Sequence, residues 1–150
     1  MAPRKLDRAE IFSLLTSARA GRLLTVDLQR GEPYLVPVSF VLLGQSIYCY
    51  TEPGRKLTTL QSHPQGVALE IDHQDRSAAW SVLAAGDYAP VKAGAERALA
   101  TAGLLAKYRQ EAVAPIWARS RGRWTTFMRN LARAHMGAIR LRRVSGRQWG

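Results

Sequence analysis

A threonine and two basic residues lie close together where a predicted strand gives way to a short predicted helix. Thr51 ends the strand, residues 52–54 form a turn, and Arg55 and Lys56 begin the helix. The start of a helix offers free backbone N–H groups and the positive end of the helix dipole. Arginine adds a bidentate fork, lysine a point charge and threonine a hydroxyl donor. This grouping suits a phosphate dianion, and the alternative is a solvated basic pair after a turn.

A second candidate is an apolar strand that offers its backbone rather than ionisable side chains. It consists of Val36, Pro37, Val38, Ser39, Phe40 and Val41. The N–H and C=O groups of such a strand could hydrogen-bond the edge of a flat heteroaromatic ring. The alternative is an ordinary core strand. Trp80 and Ser81 open a later predicted strand, where a tryptophan more often serves a core or an interface than a ligand.

The other reactive residue types show no recognised catalytic or metal-binding arrangement. His63, His73 and His135 lack metal-ligand spacing, and Cys49 is the only cysteine, so no metal site is expected. The sequence contains no Gly-x-Ser-x-Gly, Walker or Gly-x-Gly-x-x-Gly motif. A single cysteine cannot form an intramolecular disulfide, which favours a reducing, cytoplasmic location. Neither a membrane span nor a signal peptide is predicted, because long apolar runs are missing.

Positive charge is concentrated in the last third of the sequence. Residues 101–150 carry 11 basic residues and Glu111 as the single acidic one, whereas residues 1–100 carry 11 basic and 10 acidic residues. Such a segment can face nucleic acid, an anionic membrane or an anionic small ligand. The apolar face of a predicted helix there is formed by Trp124, Phe127, Met128 and Leu131. Its basic side fits a solvated face or an anionic cofactor better than nucleic acid, because no nucleic-acid motif accompanies it.

Periodicity and turn residues predict a mainly β (α+β) chain with few helices. Asp7 and Glu10 form a capping box for a helix over residues 8–20, and Gly21 follows its end. Six strands are predicted, over residues 23–27, 34–43, 46–51, 67–72, 80–89 and 138–144. Further helices are predicted over residues 55–62 and 95–109, and Gly137 is expected to end the helix around residues 124–131. Pro37 within the second strand indicates an edge, a bulge or a bend. The pattern favours a small barrel with peripheral helices.

Several short segments also follow one another in a recognisable order. They are GRLLTVD at 21–27, GEPYLVPVSFV at 31–41, IYCYT at 47–51, GRKL at 54–57, Leu60 with His63-Pro64 and the strand at 67–72, and Trp80-Ser81-Val82 with Gly86. In these segments the sequence resembles the pyridoxamine 5'-phosphate oxidase-like family of FMN-binding split barrels. The resemblance covers roughly residues 8–91, with a weaker match over residues 139–147.

This resemblance implies a six-stranded antiparallel split β-barrel with peripheral helices. One FMN-binding domain would span residues 1–150 and include a basic C-terminal helix and strand over about 115–150. The positions that hold the FMN phosphate in relatives are here Tyr50, Thr51, Arg55 and Lys56. The strand matching residues 36–41 lies along the isoalloxazine, and the strand matching Trp80 and Ser81 approaches the flavin from the partner subunit. Family members are typically homodimers with a flavin at each of two interface sites.

The function implied is FMN-dependent oxidation or reduction of an unidentified small molecule. Residues 140–147 lack the Arg-x-His pair of authentic pyridoxamine 5'-phosphate oxidases, so that specific activity is not expected. Tyr50-Thr51 stands where nitroimidazole-resistance reductases often carry a histidine. One alternative is a deazaflavin cofactor, whose acidic tail would suit the basic C-terminal half. Another is a non-catalytic flavin-binding module. Nucleic-acid binding is less favoured, and no membrane partner is expected.

Overall fold

The computed structural model describes residues 2–109 and 134–150, which contain eight strands and three helices. The strands are β1 Arg4–Lys5, β2 Gly21–Asp27, β3 Glu32–Val38, β4 Val41–Leu43, β5 Ser46–Thr51, β6 Val67–Gln74, β7 Ala79–Pro90 and β8 His135–Trp149. The helices are α1 Arg8–Ser17, α2 Arg55–Ser62 and α3 Ala95–Arg109.

All the strands belong to one antiparallel sheet. Its order is β3-β2-β6-β7-β8-β5-β4, and β1 pairs with β8 beside this path. The two end strands, β3 and β4, are consecutive in the chain and are joined by Ser39 and Phe40 alone. The sheet therefore curls so that its ends approach each other, and the predicted antiparallel split barrel is confirmed. The strand count is eight rather than six, because the predicted strand over 34–43 is divided and β1 was not predicted.

Tyr108 of α3 stabilises the break between β3 and β4. The backbone N–H of Phe40 donates to the phenol oxygen of Tyr108 over 2.9 Å, and the Tyr108 hydroxyl lies 2.9 Å from the Arg19 carbonyl oxygen and 3.1 Å from that of Phe40. The Phe40 ring is fully buried in the barrel core. The Tyr108 phenol thus accepts the N–H of a residue that lies between two strands, and its hydroxyl proton is shared between the Arg19 and Phe40 carbonyl groups.

Pro37 lies on an edge strand, which is one of the three positions that the sequence predicted for it. β3 pairs only with β2, and Pro37 is opposite Arg22 in that pair. A proline that cannot donate to a ladder is tolerated at an edge. The free side of β3 consequently exposes backbone groups that no neighbouring strand uses.

The first helix confirms its predicted capping box but ends early. Asp7 Oδ1 accepts from the backbone N–H of Glu10 over 2.8 Å, and Glu10 Oε2 accepts from that of Asp7 over 2.8 Å. The helix ends at Ser17, so the prediction that Gly21 caps it is wrong, and Gly21 instead begins β2. A Cβ atom at Gly21 would lie 2.9 Å from a Leu69 methyl group, so glycine lets β2 approach β6 closely.

The prediction that Gly137 ends a helix is also wrong. Gly137 lies inside β8, opposite Cys49 of β5 and Pro90 of β7. A Cβ atom there would lie 2.2 Å from the Tyr88 ring, so packing of that ring requires glycine. β8 extends beyond the predicted 138–144 at both ends. The predicted helical face of Trp124, Phe127, Met128 and Leu131 lies outside the described residues.

Two apolar clusters hold the elements together. The larger fills the barrel and includes the fully buried Leu15, Leu60 and Leu69. The smaller lies between α3 and the sheet and includes Leu104 and Met136. In the part of the chain that the structure describes, no helix is long and apolar enough to cross a membrane.

Candidate functional site

The N-terminus of α2 lies at the end of β5, as the sequence predicted. Gly54 precedes the helix with a φ of 152°, a conformation that side chains rarely adopt. No side chain caps the helix at this end. The N–H groups of its first turn have no partner within the helix, and the helix dipole makes this end positive. The local chain therefore presents backbone donors suited to an anion.

Thr51 places a buried hydroxyl beside this helix end. The residue is 1% exposed, and its Oγ1 has no hydrogen-bond partner of ordinary geometry among the described residues. The Cys49 thiol, two residues earlier on the same face of β5, interacts with this hydroxyl. Burial raises the pKa of Cys49, while the charge of Lys56 and the Thr51 hydroxyl act weakly in the opposite direction. An unsatisfied buried hydroxyl is costly, which indicates a position meant for a ligand or a water molecule.

Lys56 and Tyr50 lie on the two sides of β5. Lys56 Nζ is 3.4 Å from the Tyr50 carbonyl oxygen, and the side chain is half-buried. The Tyr50 hydroxyl lies 2.5 Å from Thr101 Oγ1 of α3, and the Arg97 guanidinium lies 5.9 Å from its ring. Neighbouring residues of a strand face opposite sides. Thr51 and Tyr50 therefore face opposite sides of β5. Thr51 lies on the side away from α3, whereas the Tyr50 side chain packs against α3.

Arg55 does not extend freely into solvent, as a solvated basic residue would. Its Nε and Nη2 donate to Asp27 Oδ2 over 3.1 and 2.9 Å, and Nη2 is 3.4 Å from Glu32 Oε1. Its guanidinium lies over the Tyr34 ring, 4.7 Å from the centroid. Burial alone would raise the pKa of Asp27, but Arg55 and the N–H groups of the following turn hold it below its ordinary value.

Sequence reasoning missed Asp27, Glu32 and Tyr34 as neighbours of the site. Asp27 ends β2 and accepts backbone N–H groups from Gln29 and Arg30 over 3.1 and 3.2 Å. An aspartate followed by a turn is the available signal, because its carboxylate commonly accepts the N–H groups two and three residues later. That signal predicts a turn but not the ion pair with Arg55.

The strand over residues 36–41 is divided between core packing and an open edge. Val38, Phe40 and Val41 are buried, Val36 and Ser39 are half-buried, and Pro37 is exposed. In an antiparallel edge strand, alternate N–H and C=O groups point away from the partner. β3 therefore retains free backbone groups, although those of Phe40 are engaged by Tyr108.

Trp80 and Ser81 lie far from Thr51 along the sheet. On β8, Thr51 is opposite His135 and Trp80 is opposite Gln148. Thirteen steps of strand separate those two positions on β8, or about 40 Å of strand length. The structure thus groups Thr51, Arg55 and Lys56 but does not bring Trp80 and Ser81 to them.

Trp80 belongs to a second polar group at the β6–β7 turn. Its ring stacks on that of His73 with 5.9 Å between centroids, and His73 Nε2 is 2.9 Å from Asp75 Oδ2. His73 and the Ser77 hydroxyl and N–H hold the pKa of Asp75 far below its ordinary value. Within residues 2–109 and 134–150, no group of three or more His, Cys, Asp or Glu side chains is arranged to hold a metal.

Lys107 of α3 is half-buried, and its ammonium group is buried against the divided strand. Its ammonium lies 3.9 Å from the Phe40 ring centroid, and its Nζ has no hydrogen-bond partner among the described residues. Burial, with the charge of Arg19 second, lowers the pKa of Lys107 from 10.5 to about 8. The amine is therefore a destabilising feature that the cation–π contact offsets only in part.

Replacing Lys107 with methionine is expected to raise the free energy of unfolding by about 1–2 kcal/mol near neutral pH, allowing for partial solvent screening. The unfolded chain binds the lysine proton more tightly than the folded one. The wild-type penalty is therefore complete below pH about 8 and declines as the pH rises toward 10.5. Urea unfolding of both proteins near neutral pH and near pH 10 measures the difference. An equal difference at both pH values would contradict this cause.

A model of the family described as pyridoxamine 5'-phosphate oxidase matches residues 7–148. The chain belongs to this family. This family match confirms the resemblance seen over roughly residues 8–91 and, more weakly, over residues 139–147.

One curated protein and several solved structures are also similar to this chain. An uncharacterized protein of Rhizobium meliloti is 29% identical over 89 residues, which cover 59% of this chain and 57% of that protein. The crystal structure of an FAD-binding protein from Mesorhizobium loti has a TM-score of 0.75 at 24% identity and covers all of both chains. An FAD-binding protein from Mycobacterium smegmatis has a TM-score of 0.69 at 22% identity and covers 98% of this chain and all of its own. These structures establish the fold.

Proposed function

We propose that the protein is a homodimeric flavoprotein that binds FMN at the N-terminus of α2 and oxidises or reduces a small molecule. The observation that carries this proposal is the buried, unsatisfied Thr51 hydroxyl beside an uncapped helix end. Family membership and the FAD-binding names of two structural relatives support a flavin as the ligand.

The phosphate of FMN matches the donors at this corner. Thr51 would donate its hydroxyl, α2 its first N–H groups, and Lys56 and Arg55 their charges. FMN is the proposed form because its terminal phosphate is the dianion that these donors suit. A deazaflavin with an acidic tail is the second candidate, favoured by the 11 basic residues of positions 101–150.

The isoalloxazine ring would lie along the free edge of β3. Backbone groups at that edge are available, since β3 pairs only with β2. They can hydrogen-bond the polar rim of the ring while Val36 and its neighbours supply apolar contact.

A second copy of the chain would bring Trp80 and Ser81 to the flavin. One protomer cannot do so, given the length of β8 that separates them from Thr51. The outward face of the sheet carries exposed apolar residues: Leu24 at 36%, Leu35 at 55% and Leu83 at 38% exposure. Leu24 lies directly opposite Leu35, and Leu83 shares its face with Ser81. Burial of this face in a dimer would supply apolar area and carry Ser81 into the interface.

The flavin would supply the redox chemistry when bound. The protein binds and orients the ring and limits its contact with water. No side chain among the described residues is assigned as a general acid or base. The proposal includes a cytoplasmic location, supported by a lone cysteine that is buried and unpaired.

An absorption spectrum of the purified protein and titrations with FMN, riboflavin, FAD and a deazaflavin test the ligand. FMN should bind more tightly than riboflavin, because riboflavin lacks the phosphate. Failure to bind any of the four would refute the proposal. Light scattering of the complex should give twice the monomer mass. Turnover with reduced nicotinamide or reduced deazaflavin and a quinone separates an oxidoreductase from a flavin-binding module without activity.

A further inference from the structure

The carboxylate that holds Arg55 is itself held in place. Asp27 uses Oδ2 for the two N–H groups of Arg55 and Oδ1 for the backbone N–H groups of Gln29 and Arg30. Its side chain is 10% exposed. Asp27 cannot follow a moving arginine without releasing the turn that it caps. It is therefore a rigid anchor rather than a mobile counterion.

Tyr34 and Glu32 also contact the Arg55 guanidinium, whereas its Nη1 group is open. The Tyr34 ring lies under it, and Glu32 Oε1 is 3.4 Å from Nη2. Nη1 has no hydrogen-bond partner among the described residues, and the side chain is 43% exposed. The bonded edge faces the β2–β3 turn, so the free N–H groups point away from it.

We propose that Asp27 is a positioning residue for Arg55: it orders the guanidinium before the cofactor arrives, so that Nη1 is presented to the flavin phosphate. This inference rests on the proposed function. An unrestrained arginine loses its rotamer freedom when it binds a ligand, and that loss weakens binding. Because Asp27 already holds the Arg55 side chain in one conformation, this loss of rotamer freedom occurs on folding rather than on binding. Its own negative charge is covered by the guanidinium that lies between it and the ligand.

The test is the selectivity of Asp27→Asn between FMN and riboflavin. The variant keeps an oxygen for the turn but replaces the oxygen that grips Arg55. We expect the dissociation constant for FMN to rise about threefold to tenfold, and that for riboflavin to stay unchanged. Arg55→Lys keeps the charge but lacks the second donor edge. It should show the same selective loss and provides the test if Asp27→Asn does not fold.

The matched control is Glu32→Gln. It removes the same charge from the surroundings of Arg55 but leaves the two-bond contact with Asp27, so FMN affinity should change less than about twofold. In an Arg55→Ala background, Asp27→Asn should cause no further weakening.

Several outcomes would overturn the positioning role. The first is that Asp27→Asn binds FMN as tightly as the wild-type protein or more tightly. The second is that Asp27→Asn weakens the binding of FMN and riboflavin equally. The third is that Asp27→Asn still weakens FMN binding in the Arg55→Ala background. A wild-type protein that binds neither flavin overturns the proposed function and this inference together. A wild-type protein that binds FMN while Asp27→Asn binds equally well overturns the positioning role alone.

Discussion

Replacing both Arg55 and Lys56 with alanine is expected to weaken FMN binding by about 2–5 kcal/mol, which corresponds to about 30-fold or more in the dissociation constant. The reason is the loss of two charge-assisted contacts to the phosphate at the start of α2. Riboflavin binding should change little, because riboflavin places no anion there. Fluorescence titration of both flavins with both proteins measures the two effects.

The control for this double variant removes two positive charges elsewhere. Lys92 and Arg8 are exposed; Arg8 begins α1, and Lys92 lies in the connection between β7 and α3. Changing both to alanine lowers the net charge equally and should leave FMN affinity within about threefold. Lys56→Ala alone is a useful companion, because it leaves the Asp27–Arg55 ion pair intact. Equal losses in the control and the site variant would contradict a local phosphate site.

The second large effect is expected from Gly86→Ala, which should lower the free energy of unfolding by about 2–4 kcal/mol. A Cβ atom at Gly86 would lie 2.1 Å from the Arg140 carbonyl oxygen and 2.7 Å from its carbonyl carbon. Both atoms are backbone, so no side chain can move aside. Urea unfolding followed by circular dichroism measures the change.

Gly86 lies at an irregularity that explains this tight contact. The pairing of β7 with β8 shifts between Ala85, opposite Arg143, and Gly86, opposite Leu141. Arg142 is the extra residue, and its side chain pairs with Asp87 over 3.1 Å. A bulge of this kind bends the sheet and supports barrel closure.

Gly103→Ala is the control for that substitution. Gly103 lies within α3, and an added Cβ atom would meet side-chain atoms of Leu43 and Val41 at 3.3–3.4 Å. Alanine favours a helix over glycine by up to about 1 kcal/mol, so this variant should be neutral or slightly more stable. Comparable destabilisation by both glycine substitutions would contradict the specific clash at Gly86.

The elements of the site could be predicted from the sequence because their signals are local. A breaker at residues 52–54 separates a strand from a helix, and the structure has β5 and α2 with the expected bounds. The capping box of α1 is equally local, since Asp7 and Glu10 are three residues apart. Such signals need no knowledge of tertiary contacts.

Features that depend on distant partners could not be predicted in the same way. Arg55 meets Asp27 across 28 positions of sequence, and Phe40 meets Tyr108 across 68. Gly137 looks like a helix end in the sequence, but the Tyr88 ring determines its role. In each case tertiary packing overrides local propensity. The distance between Trp80 and Thr51 likewise becomes visible only through their positions along β8.

The place of β8 in the sheet has a consequence for synthesis on the ribosome. β8 follows all the other described strands in the chain, yet it lies between β7 and β5 and also pairs with β1. Until residues 135–149 emerge, β5 and β7 both display unpaired edges, so the growing chain cannot close and is open to association with other chains. We therefore expect barrel closure to be a late event that follows the synthesis of residues 135–149.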